Sequence, residues 1–251
     1  NIIQLNQKAK ARREQGLFVA EGRKMFGEAP KDWISRVYVT ESLTADESLM
    51  KQVMELPEEK REIVADNVFR QMCDTRTPQG ILTVLKKPVW TVEDILKGDA
   101  PLVMVLEDLQ DPGNAGTIFR TGEGAGVSGV FLTKTCVDIT NPKVIRSTMG
   151  SVYRMPFLYV EDVVSLKAEL EQKGIRTFAA HLKGKNSYDQ EDYQGGTAFL
   201  IGNEGNGLTD EITALADHKI KIPMKGKVES LNAAVSATIL MYETMRQREF
   251  M

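Results

Sequence analysis

The second half of the chain alternates between segments typical of strands and segments typical of helices. Strand-like apolar runs occur at 102–109, 129–133, 157–160, 175–182, 197–202 and 219–224. Helical spacing or capping residues mark the segments 163–174, 208–216 and 230–249 between and after them. Such alternation predicts an α/β fold with a parallel sheet covered on both faces by helices. Because ligands of these sheets bind beside the carboxyl ends of the strands, the loops that follow the strands are the candidate sites.

The first half of the chain predicts a smaller, separate α/β domain. Residues 33–40 have strand-like composition, 48–56 have apolar residues at helical spacing, and 80–88 indicate a closing strand that ends at Pro88. The stretch from 88 to 101 is bracketed by prolines, which favours a boundary there. We therefore predict an N-terminal domain at 1–88, a linker at 89–99 and a second domain at 100–251.

Composition excludes several classes of protein. No apolar run approaches the ~18–20 residues of a membrane span, so we expect no membrane segment. The chain has two cysteines, Cys73 and Cys136, without CxxC spacing, which is typical of a reduced, cytoplasmic protein. It has two histidines, His181 and His218, which are too few for a histidine-built metal site and make a histidine-based catalytic triad unfavourable. A surface or packing role is expected for each of them. We expect no metal.

Charge is distributed unevenly around a formal net charge of −3. Residues 1–31 hold seven Lys and Arg against three Glu, and 218–248 hold six against two acids. Residues 41–66 are instead acidic, with eight acids against three bases. Basic ends are compatible with a nucleic-acid partner and equally with a solvated mixed surface, so charge alone leaves both interpretations open.

Three loops at the expected carboxyl edge carry unusual residues. The loop 107–120 places Asn114 at a helix start, where its side chain is expected to cap the helix, and Arg120 about two turns in. The loop 201–208, IGNEGNGL, places Glu204 among glycines. The loop 222–232 leads through Ser230 into a final helix, which Ser230 or Glu229 is expected to cap. The spacings match neither GxGxxG nor GxxxxGK[ST], which disfavours a dinucleotide or P-loop site. Taken singly, each loop also has a purely structural interpretation.

Together, the three loops resemble a known family. The order NxGTIFRTGEGAG, FLIGNEGNGL and IPMKGKVESLNAAVSATI resembles the three motifs of the SpoU (TrmH-like) RNA ribose methyltransferases of the SPOUT superfamily. The resemblance covers about residues 100–251, including NPKVIRSTMGSVYRMPF, while LFVAEGRKMFGEA and DTRTPQGILTVL resemble the family's N-terminal RNA-binding domain, which is like a ribosomal protein. It implies a deep C-terminal trefoil knot, whereas connection rules alone would predict an ordinary open sheet.

The implied cofactor is S-adenosylmethionine. Its sulfonium is positive and it has no phosphate, so a glycine-rich loop that contains a carboxylate is compatible with it. By resemblance, the residues that contact the cofactor, largely through main chain and apolar walls, are Gly202, Gly205, Ile222, Met224 and Leu231.

The implied reaction methylates a ribose 2′-hydroxyl of rRNA or tRNA. The resemblance gives Arg120 the central role, as a base assisted by an RNA phosphate or as a stabiliser of charge, since a guanidinium loses its proton only with difficulty. Asn114 and Glu204 are expected to orient Arg120 or the ribose, and Ser230 and Asn232 to supply hydrogen bonds. The residues expected to contact RNA are Lys143, Arg146 and Arg154, together with the N-terminal Arg12, Arg13 and Arg23.

The resemblance further implies a homodimer in which residues such as Arg154 approach the partner's site. Leu240, Met241 and Met245 of the final helix suggest apolar surface beyond what one domain covers. Two alternatives to a ribose methyltransferase stay open: a non-catalytic RNA-binding or assembly protein that retains the fold, and a methyltransferase directed at an RNA base.

Overall fold

The computed structural model describes residues 1–250, which divide into two compact units. The N-terminal unit contains residues 1–89 and 138–153, and the C-terminal unit contains 90–137 and the chain from 154 onward. The segment 138–153 therefore packs with the N-terminal unit, although the sequence indicates one uninterrupted domain from residue 100.

Strands and helices alternate through both units. Within the described residues the strands are β1 (Leu17–Glu21), β2 (Ile34–Thr40), β3 (Arg61–Val64), β4 (Ile81–Lys86), β5 (Leu102–Leu106), β6 (Gly129–Thr133), β7 (Phe157–Val160), β8 (Arg176–Ala180), β9 (Asn186–Ser187), β10 (Thr197–Ile201) and β11 (His218–Lys221). The α-helices of the same range are α1 (Ile2–Gln7), α2 (Ala9–Gln15), α3 (Arg23–Glu28), α4 (Glu47–Met54), α5 (Asp66–Met72), α6 (Val92–Ile95), α7 (Pro112–Gly124), α8 (Pro142–Thr148), α9 (Val163–Gln172), α10 (Asp210–Leu215) and α11 (Ala233–Phe250).

The N-terminal unit is built on a four-stranded sheet in the order β1-β4-β2-β3. β4 runs antiparallel to β1 and β2, and β3 runs parallel to β2. One core cluster joins Leu5 of α1, Phe69 of α5 and Leu82 of β4, all 1% exposed or less. The small α/β domain expected from the sequence is therefore present.

The segment 138–153 is joined to this unit by a partly buried ion pair. Arg12 is 3% exposed, and its Nε donates to Asp138 Oδ2 at 2.9 Å. One terminal nitrogen, Nη2, lies 2.8 Å from the same carboxylate oxygen, and the other, Nη1, donates to the carbonyl of Leu5 at 2.7 Å. At the other end of the segment, Tyr153 donates its hydroxyl hydrogen to the carbonyl of Met25 at 3.0 Å. Both ends of the segment are thus fastened by long-range side-chain bonds.

The C-terminal unit contains a seven-stranded sheet in the order β7-β6-β5-β10-β8-β11-β9. Every neighbouring pair is parallel. The order runs outward from β5 through β6 to β7, and β10 joins β5 on the other side, so the direction of winding reverses between β5 and β10. Ligands of open parallel sheets bind outside the carboxyl ends at such a reversal. The α/β prediction is confirmed; strand order does not establish threading, and the knot stays a prediction.

The predicted linker at 89–99 contains a folded helical turn. Thr91 accepts from the backbone N–H of Asp94 and donates its own backbone N–H to the Asp94 carboxylate, a reciprocal cap at the start of α6. Ile95 is fully buried in a cluster with Val103 and Phe131. This part of the linker is therefore packed onto the C-terminal unit.

The last helix, α11, buries much of the apolar surface that the sequence suggests for a dimer. Leu240 and Met241 are both 0% exposed, because α11 packs on α7 and β10 of the same chain. The argument for a dimer from these two side chains is therefore wrong. Among the described residues, no helix is both long and apolar enough to cross a membrane.

Candidate active site

A cleft of about 400 Å³ opens at the carboxyl ends of β8, β10 and β11. Its lining comes from residues 180–183, 201–208 and 222–236. The residues predicted to bind the cofactor all line it: Gly202, Gly205, Ile222, Met224 and Leu231. Small-molecule sites have volumes of about 300–1,000 Å³, so the cleft is large enough for a ligand of that class.

The glycine-rich loop after β10 is closed by its own hydrogen bonds. Asn203 and Gly207 exchange backbone hydrogen bonds of 3.0 and 2.9 Å. The Asn203 side-chain oxygen accepts from the backbone N–H groups of Gly205 and Asn206 at 2.9 and 3.0 Å. Gly207 has φ +70°, a left-handed conformation that favours glycine. The loop is therefore a preformed turn at the edge of the cleft.

Gly202 is required by the loop itself. A Cβ atom at this position would lie 2.1 Å from the carbonyl carbon of Gly207 and 2.2 Å from the nitrogen of Leu208. The sequence suggests that this glycine lets a ligand approach the backbone, whereas the structure shows that the returning chain occupies the space. Gly202 therefore permits the loop to close.

The loop after β5 is bound to both ends of this turn. Glu107, 7% exposed, accepts from the backbone N–H and the hydroxyl of Thr209 at 2.9 and 2.7 Å. Asn203 donates its side-chain N–H to the backbone carbonyl of Asp108 at 2.8 Å. Glu107 was not predicted as a site residue, although an acid that ends an apolar strand is a signal that could have identified it. The two loops thus meet at the point where the sheet reverses its winding.

Glu204 connects the glycine-rich loop to the start of α7. Its Oε1 accepts from the backbone N–H of Asp111 at 2.9 Å and from Asn114 Nδ2 at 3.0 Å, and its Oε2 accepts from the backbone N–H of Gln110 at 3.1 Å. Partial burial alone would raise the pKa of Glu204, but these hydrogen bonds outweigh it and lower the pKa below its usual range. The carboxylate is therefore ionised at neutral pH, beside a helix N-terminus that favours negative charge.

Asn114 extends this connection to the third loop. Its side-chain oxygen accepts from Asn232 Nδ2 at 2.8 Å, and the residue is 9% exposed. Asn232 in turn accepts from the backbone N–H groups of Ala234 and Val235 at 2.9 and 3.2 Å and so caps α11. The chain Glu204–Asn114–Asn232 therefore joins residues of all three predicted loops.

Two capping assignments made from the sequence are wrong. The side chain that caps α7 belongs to Asp111, which accepts from the backbone N–H of Asn114 at 2.7 Å. Asn114 lies inside the first turn, which frees its amide to bridge two loops. Asn232, and not Ser230 or Glu229, accepts hydrogen bonds from the first turn of α11. Ser230 lines the cleft instead.

Arg120 lies on the exposed face of α7, outside the lining of the cleft. Its guanidinium forms no hydrogen bond or ion pair with any residue that the structure describes. Glu204 and Asn114 bind each other and the loops and form no hydrogen bond with Arg120, and their expected role in orienting Arg120 or the ribose stays a prediction. One turn further along α7, Glu123 forms a two-pronged ion pair with Arg154, with 3.1 Å between Glu123 Oε2 and a terminal nitrogen of Arg154. Arg154 is thereby held on the face of α7 that carries Arg120.

The remaining basic residues predicted to contact RNA lie in the N-terminal unit. Lys143 and Arg13 are exposed. Arg23 is exposed and lies 2.5 Å from Asp46, and Arg146 is partly exposed and lies 2.8 Å from Asp74. Arg12 differs from them, because its buried guanidinium is engaged as described above and is not offered to a phosphate. The RNA contact predicted for Arg12 is therefore replaced by a structural role.

The segment after β8 was not predicted as part of the site. Residues 180–183 line the cleft, including His181, for which a surface or packing role was expected. His181 Nδ1 accepts from the backbone N–H of Lys183 at 3.1 Å, which holds the turn. The one feature of the sequence that could have identified this segment as part of the site is its position directly after a strand, at the carboxyl edge of the sheet.

The cleft fits a ligand that combines apolar and hydrogen-bonding surface with a positive charge. Apolar side chains of Ile201, Leu208 and Leu231 line it together with the backbone of the glycine-rich loop. Glu204 and Glu229 add carboxylates to the lining, a distribution that suits a sulfonium and opposes a phosphate. No group of three or more His, Cys, Asp or Glu suited to a metal ion occurs among the described residues.

Comparison with known families matches both units. Residues 101–242 match the SpoU rRNA Methylase family, and residues 1–83 match the MRM3-like substrate binding domain. The first match covers more than half of the chain and includes all three loops of the site.

Relatives match over most of the chain. The 23S rRNA (guanosine(2553)-2′-O)-methyltransferase RlmP of Bacillus subtilis (strain 168) is 31% identical over 233 residues, covering 93% of this chain and 90% of that protein. The mitochondrial rRNA methyltransferase 3 of Homo sapiens is 30% identical, covering 94% of this chain and 69% of that protein.

A solved structure is similar over the full length of the chain. The AdoMet-bound rRNA methyltransferase of Sinorhizobium meliloti has a TM-score of 0.84 and 26% identity, covering 100% of this chain and 94% of that chain. The family match, the relatives and the site geometry agree: this chain belongs to the SpoU rRNA methylase family.

Proposed function

We propose that this protein is an S-adenosylmethionine-dependent methyltransferase that acts on a ribose 2′-hydroxyl of ribosomal RNA. The observation that carries the proposal is the Glu204–Asn114–Asn232 chain, which fixes three loops beside a cleft suited to the cofactor. Ribosomal RNA is favoured over transfer RNA because the matched family and the two relatives above are named for rRNA. A 2′-hydroxyl is favoured because the name of the B. subtilis relative specifies 2′-O.

When bound, the cofactor would supply the methyl group that is transferred to the ribose 2′-oxygen. Gly202 and Gly205 place loop backbone at the cleft, and Ile222, Met224 and Leu231 form its apolar wall. These residues hold the cofactor in our proposal. Because the hydrogen-bonded loop is preformed, positioning accounts for a large part of the acceleration.

Arg120 serves the acceptor side of the reaction. Its exposed guanidinium has no hydrogen bond or ion pair with a described residue, so it is available to an RNA phosphate and to the oxygen that develops negative charge. Charge stabilisation is our primary assignment, and proton removal assisted by a phosphate is the second. Asn114, Glu204 and Asn232 act as positioning residues that fix the loops, and Ser230 offers a hydroxyl at the cleft.

The N-terminal unit contributes the RNA substrate-binding surface in our proposal. Its match to a substrate binding domain and its exposed basic residues support this role. Lys143, Arg13, Arg23 and Arg146 are expected to neutralise phosphates there, and Arg154 is expected to do so from the C-terminal unit. Such phosphate contacts position the RNA without reading its sequence. The nucleotide is then selected through the shape of the RNA and through its unpaired bases.

A homodimer is part of the proposal. Its interface is the exposed face of α11 and not the buried Leu240 and Met241 that the sequence suggests. Val235 and Tyr242 are 47% and 46% exposed, and with Ile239 they follow one face of α11 at helical spacing. Tyr242 lies against Gly124 of α7, so this face adjoins the helix that carries Arg120. A second copy that covers this face would bring its own residues close to the acceptor side.

We place the reaction in the cytoplasm, because two reduced cysteines and an rRNA substrate are typical of that compartment. Neither a membrane nor a metal takes part in the proposed mechanism.

The decisive experiment uses tritiated methyl-S-adenosylmethionine and rRNA from cells that lack the gene. We expect transfer of label to one nucleotide, recovered after alkaline hydrolysis as a resistant dinucleotide, because a 2′-O-methyl group blocks cleavage at that position. Label in a mononucleotide base would favour the base-directed alternative. RNA binding without any transfer would favour the non-catalytic assembly protein.

A further inference from the structure

A second cavity, of about 510 Å³, lies entirely within the N-terminal unit. The end of β2 and the turn after it contribute Thr40, Ser42 and Leu43, while α5 and the loop before β4 contribute the remaining walls. Those remaining residues are Asp66, Phe69, Arg70, Arg76, Pro78, Gln79 and Gly80. The cavity thus combines apolar surface, hydrogen-bonding groups and two guanidinium groups.

The two arginines of this cavity differ from most others in the unit. Arg23, Arg36 and Arg146 form ion pairs with acidic side chains. Neither Arg70 nor Arg76 forms a hydrogen bond or an ion pair with any residue that the structure describes, and both are exposed. Two unengaged guanidinium groups at one concave surface are suited to an anionic ligand.

The carboxylate of the cavity is already satisfied. Ser42 donates its hydroxyl hydrogen to Asp66 Oδ1 at 2.5 Å and its backbone N–H to Asp66 Oδ2 at 3.3 Å. Asp66 also lies near enough to Arg70 for their charges to interact. One fixed negative charge therefore faces two positive charges, and the cavity retains a positive balance.

The loop that carries Arg76 is held in place from outside the cavity. Glu21 accepts from the backbone N–H of Asp74 and from the hydroxyl of Thr75, each at 2.6 Å. Gln79 Oε1 accepts from the backbone N–H of Arg23 at 3.0 Å, while the Gln79 amide nitrogen forms no hydrogen bond with a described residue. The cavity lining therefore includes an amide donor whose orientation is fixed by this bond.

Gly80 sets the shape of the inner wall. Its φ is +80°, and a Cβ there would lie 2.8 Å from Thr40 Oγ1 and 3.3 Å from Leu43. The backbone consequently approaches β2 closely, leaving Leu43 and Pro78 as apolar surface beside the two arginines. An apolar surface edged by guanidinium and amide donors suits a nucleobase together with its phosphate.

We infer that this cavity binds one unpaired nucleotide of the substrate RNA, with Arg70 and Arg76 on its phosphates, Leu43 and Pro78 beside its base, and Gln79 donating to the base edge. The inference rests on the proposed RNA substrate and deepens it, because it identifies an element of RNA selection that is independent of the methyl-transfer cleft.

The test compares RNA binding by the full-length double variant Arg70→Gln/Arg76→Gln with wild type. The probe is rRNA from cells lacking the gene, and the charge-matched control is Lys51→Gln/Lys86→Gln, two exposed lysines of the same unit outside the cavity. We expect RNA affinity to fall about 10-fold and the slope of log K against log salt to flatten by about 1.4–1.8, as for two lost phosphate contacts. The control should change both quantities much less.

Three further measurements make the result specific. The affinity for S-adenosylmethionine and the thermal midpoint should be unchanged in the double variant. Photocrosslinking with 4-thiouridine-substituted rRNA should label peptides within 66–80 of the wild type. Equal RNA affinity in the double variant and its control would overturn the inference, as would tight binding of free guanosine monophosphate at the cavity without any competition by RNA. Failure of the proposed function is a separate outcome, since it would appear as absent methyl transfer by the wild type with RNA binding intact.

Discussion

Glu204 and Asn114 are ninety positions apart in the sequence, yet the carboxylate of the first accepts a 3.0 Å hydrogen bond from the amide of the second. This bond joins the glycine-rich loop after β10 to the first turn of α7, on the two sides of the reversal in sheet winding. The acid in the glycine-rich loop therefore has a structural role, since Glu204 accepts hydrogen bonds from the N–H groups at the start of α7.

Replacing Glu204 by Gln should loosen this junction. The amide would place an N–H₂ group against the backbone N–H of Asp111 or Gln110, so at least one hydrogen bond must be lost. We expect a loss of about 1 kcal/mol in unfolding free energy, which is below the about 1.5–3 kcal/mol for bonds to charged groups because Glu204 is exposed and solvent screens its charge. Methyl transfer should fall at least 10-fold. Glu211→Gln, an exposed acid on α10, is the matched control.

The same residue predicts a pH dependence. The pKa of Glu204 is lowered in the folded protein from an ordinary value of 4.5. Its contribution to stability is therefore complete above pH 4.5 and is lost as the pH falls through the lower folded value. Urea unfolding of wild type and Glu204→Gln should differ at pH 7 and converge as the pH falls from 4.5 through the lower folded pKa. A difference that grows towards acid would contradict the assignment.

Gly202→Ala tests the closure of the loop. Its Cβ would lie 2.1 Å from backbone, so we expect a lower thermal midpoint and loss of S-adenosylmethionine binding together. Gly195→Ala is the control, because nothing lies within 4 Å of a Cβ there. Gly205→Ala separates loop closure from the approach of backbone to the cofactor. A Cβ at Gly205 would lie an ordinary 3.5 Å from Asn203 Oδ1, so the fold should tolerate this substitution. Normal cofactor binding by the Gly202 variant would disprove the loop-closure argument.

Arg120→Ala tests the acceptor side. Methyl transfer should be abolished while the calorimetric affinity for S-adenosylmethionine stays within a few-fold, because Arg120 lies outside the lining of the cleft. Lys173→Ala removes an exposed charge elsewhere in the same unit and should leave both quantities unchanged. Partial activity of Arg120→Lys would support charge stabilisation, and near-normal turnover of the alanine variant would refute the role of Arg120.

The exposed face of α11 predicts the oligomeric state. Light scattering at micromolar concentration should give about twice the chain mass of 28.0 kDa. Tyr242→Asp places a charge on that face and should shift the protein to monomer with loss of activity. Val164→Asp, at a residue 50% exposed on α9, should leave the mass unchanged. A fully active wild-type monomer would contradict a dimeric enzyme.

The sequence predicted the fold class and several residues that line the cleft, because strand–helix alternation and glycine-rich loops are local patterns, but it did not predict the segment 180–183. It failed where a single hydrogen bond decides between neighbours: Asp111 rather than Asn114 caps α7, and Asn232 rather than Ser230 caps α11. It also failed for long-range packing. The placement of 138–153 depends on side chains more than a hundred positions away, which no local period records.

The Arg12–Asp138 pair supplies the last prediction. Arg12 was expected to contact RNA, yet its guanidinium is 3% exposed and bonds to a carboxylate and to the carbonyl of Leu5. Arg12→Ala leaves these acceptors without their donor, and because Asp138 is 21% exposed the loss should lie near the lower end of the about 3–5 kcal/mol for a buried pair. We expect that loss in urea unfolding. Arg13→Ala, at the exposed neighbour, should instead keep stability and weaken rRNA binding a few-fold. The opposite pattern, with stability lost at Arg13 and RNA affinity alone lost at Arg12, would restore the RNA contact first expected of Arg12.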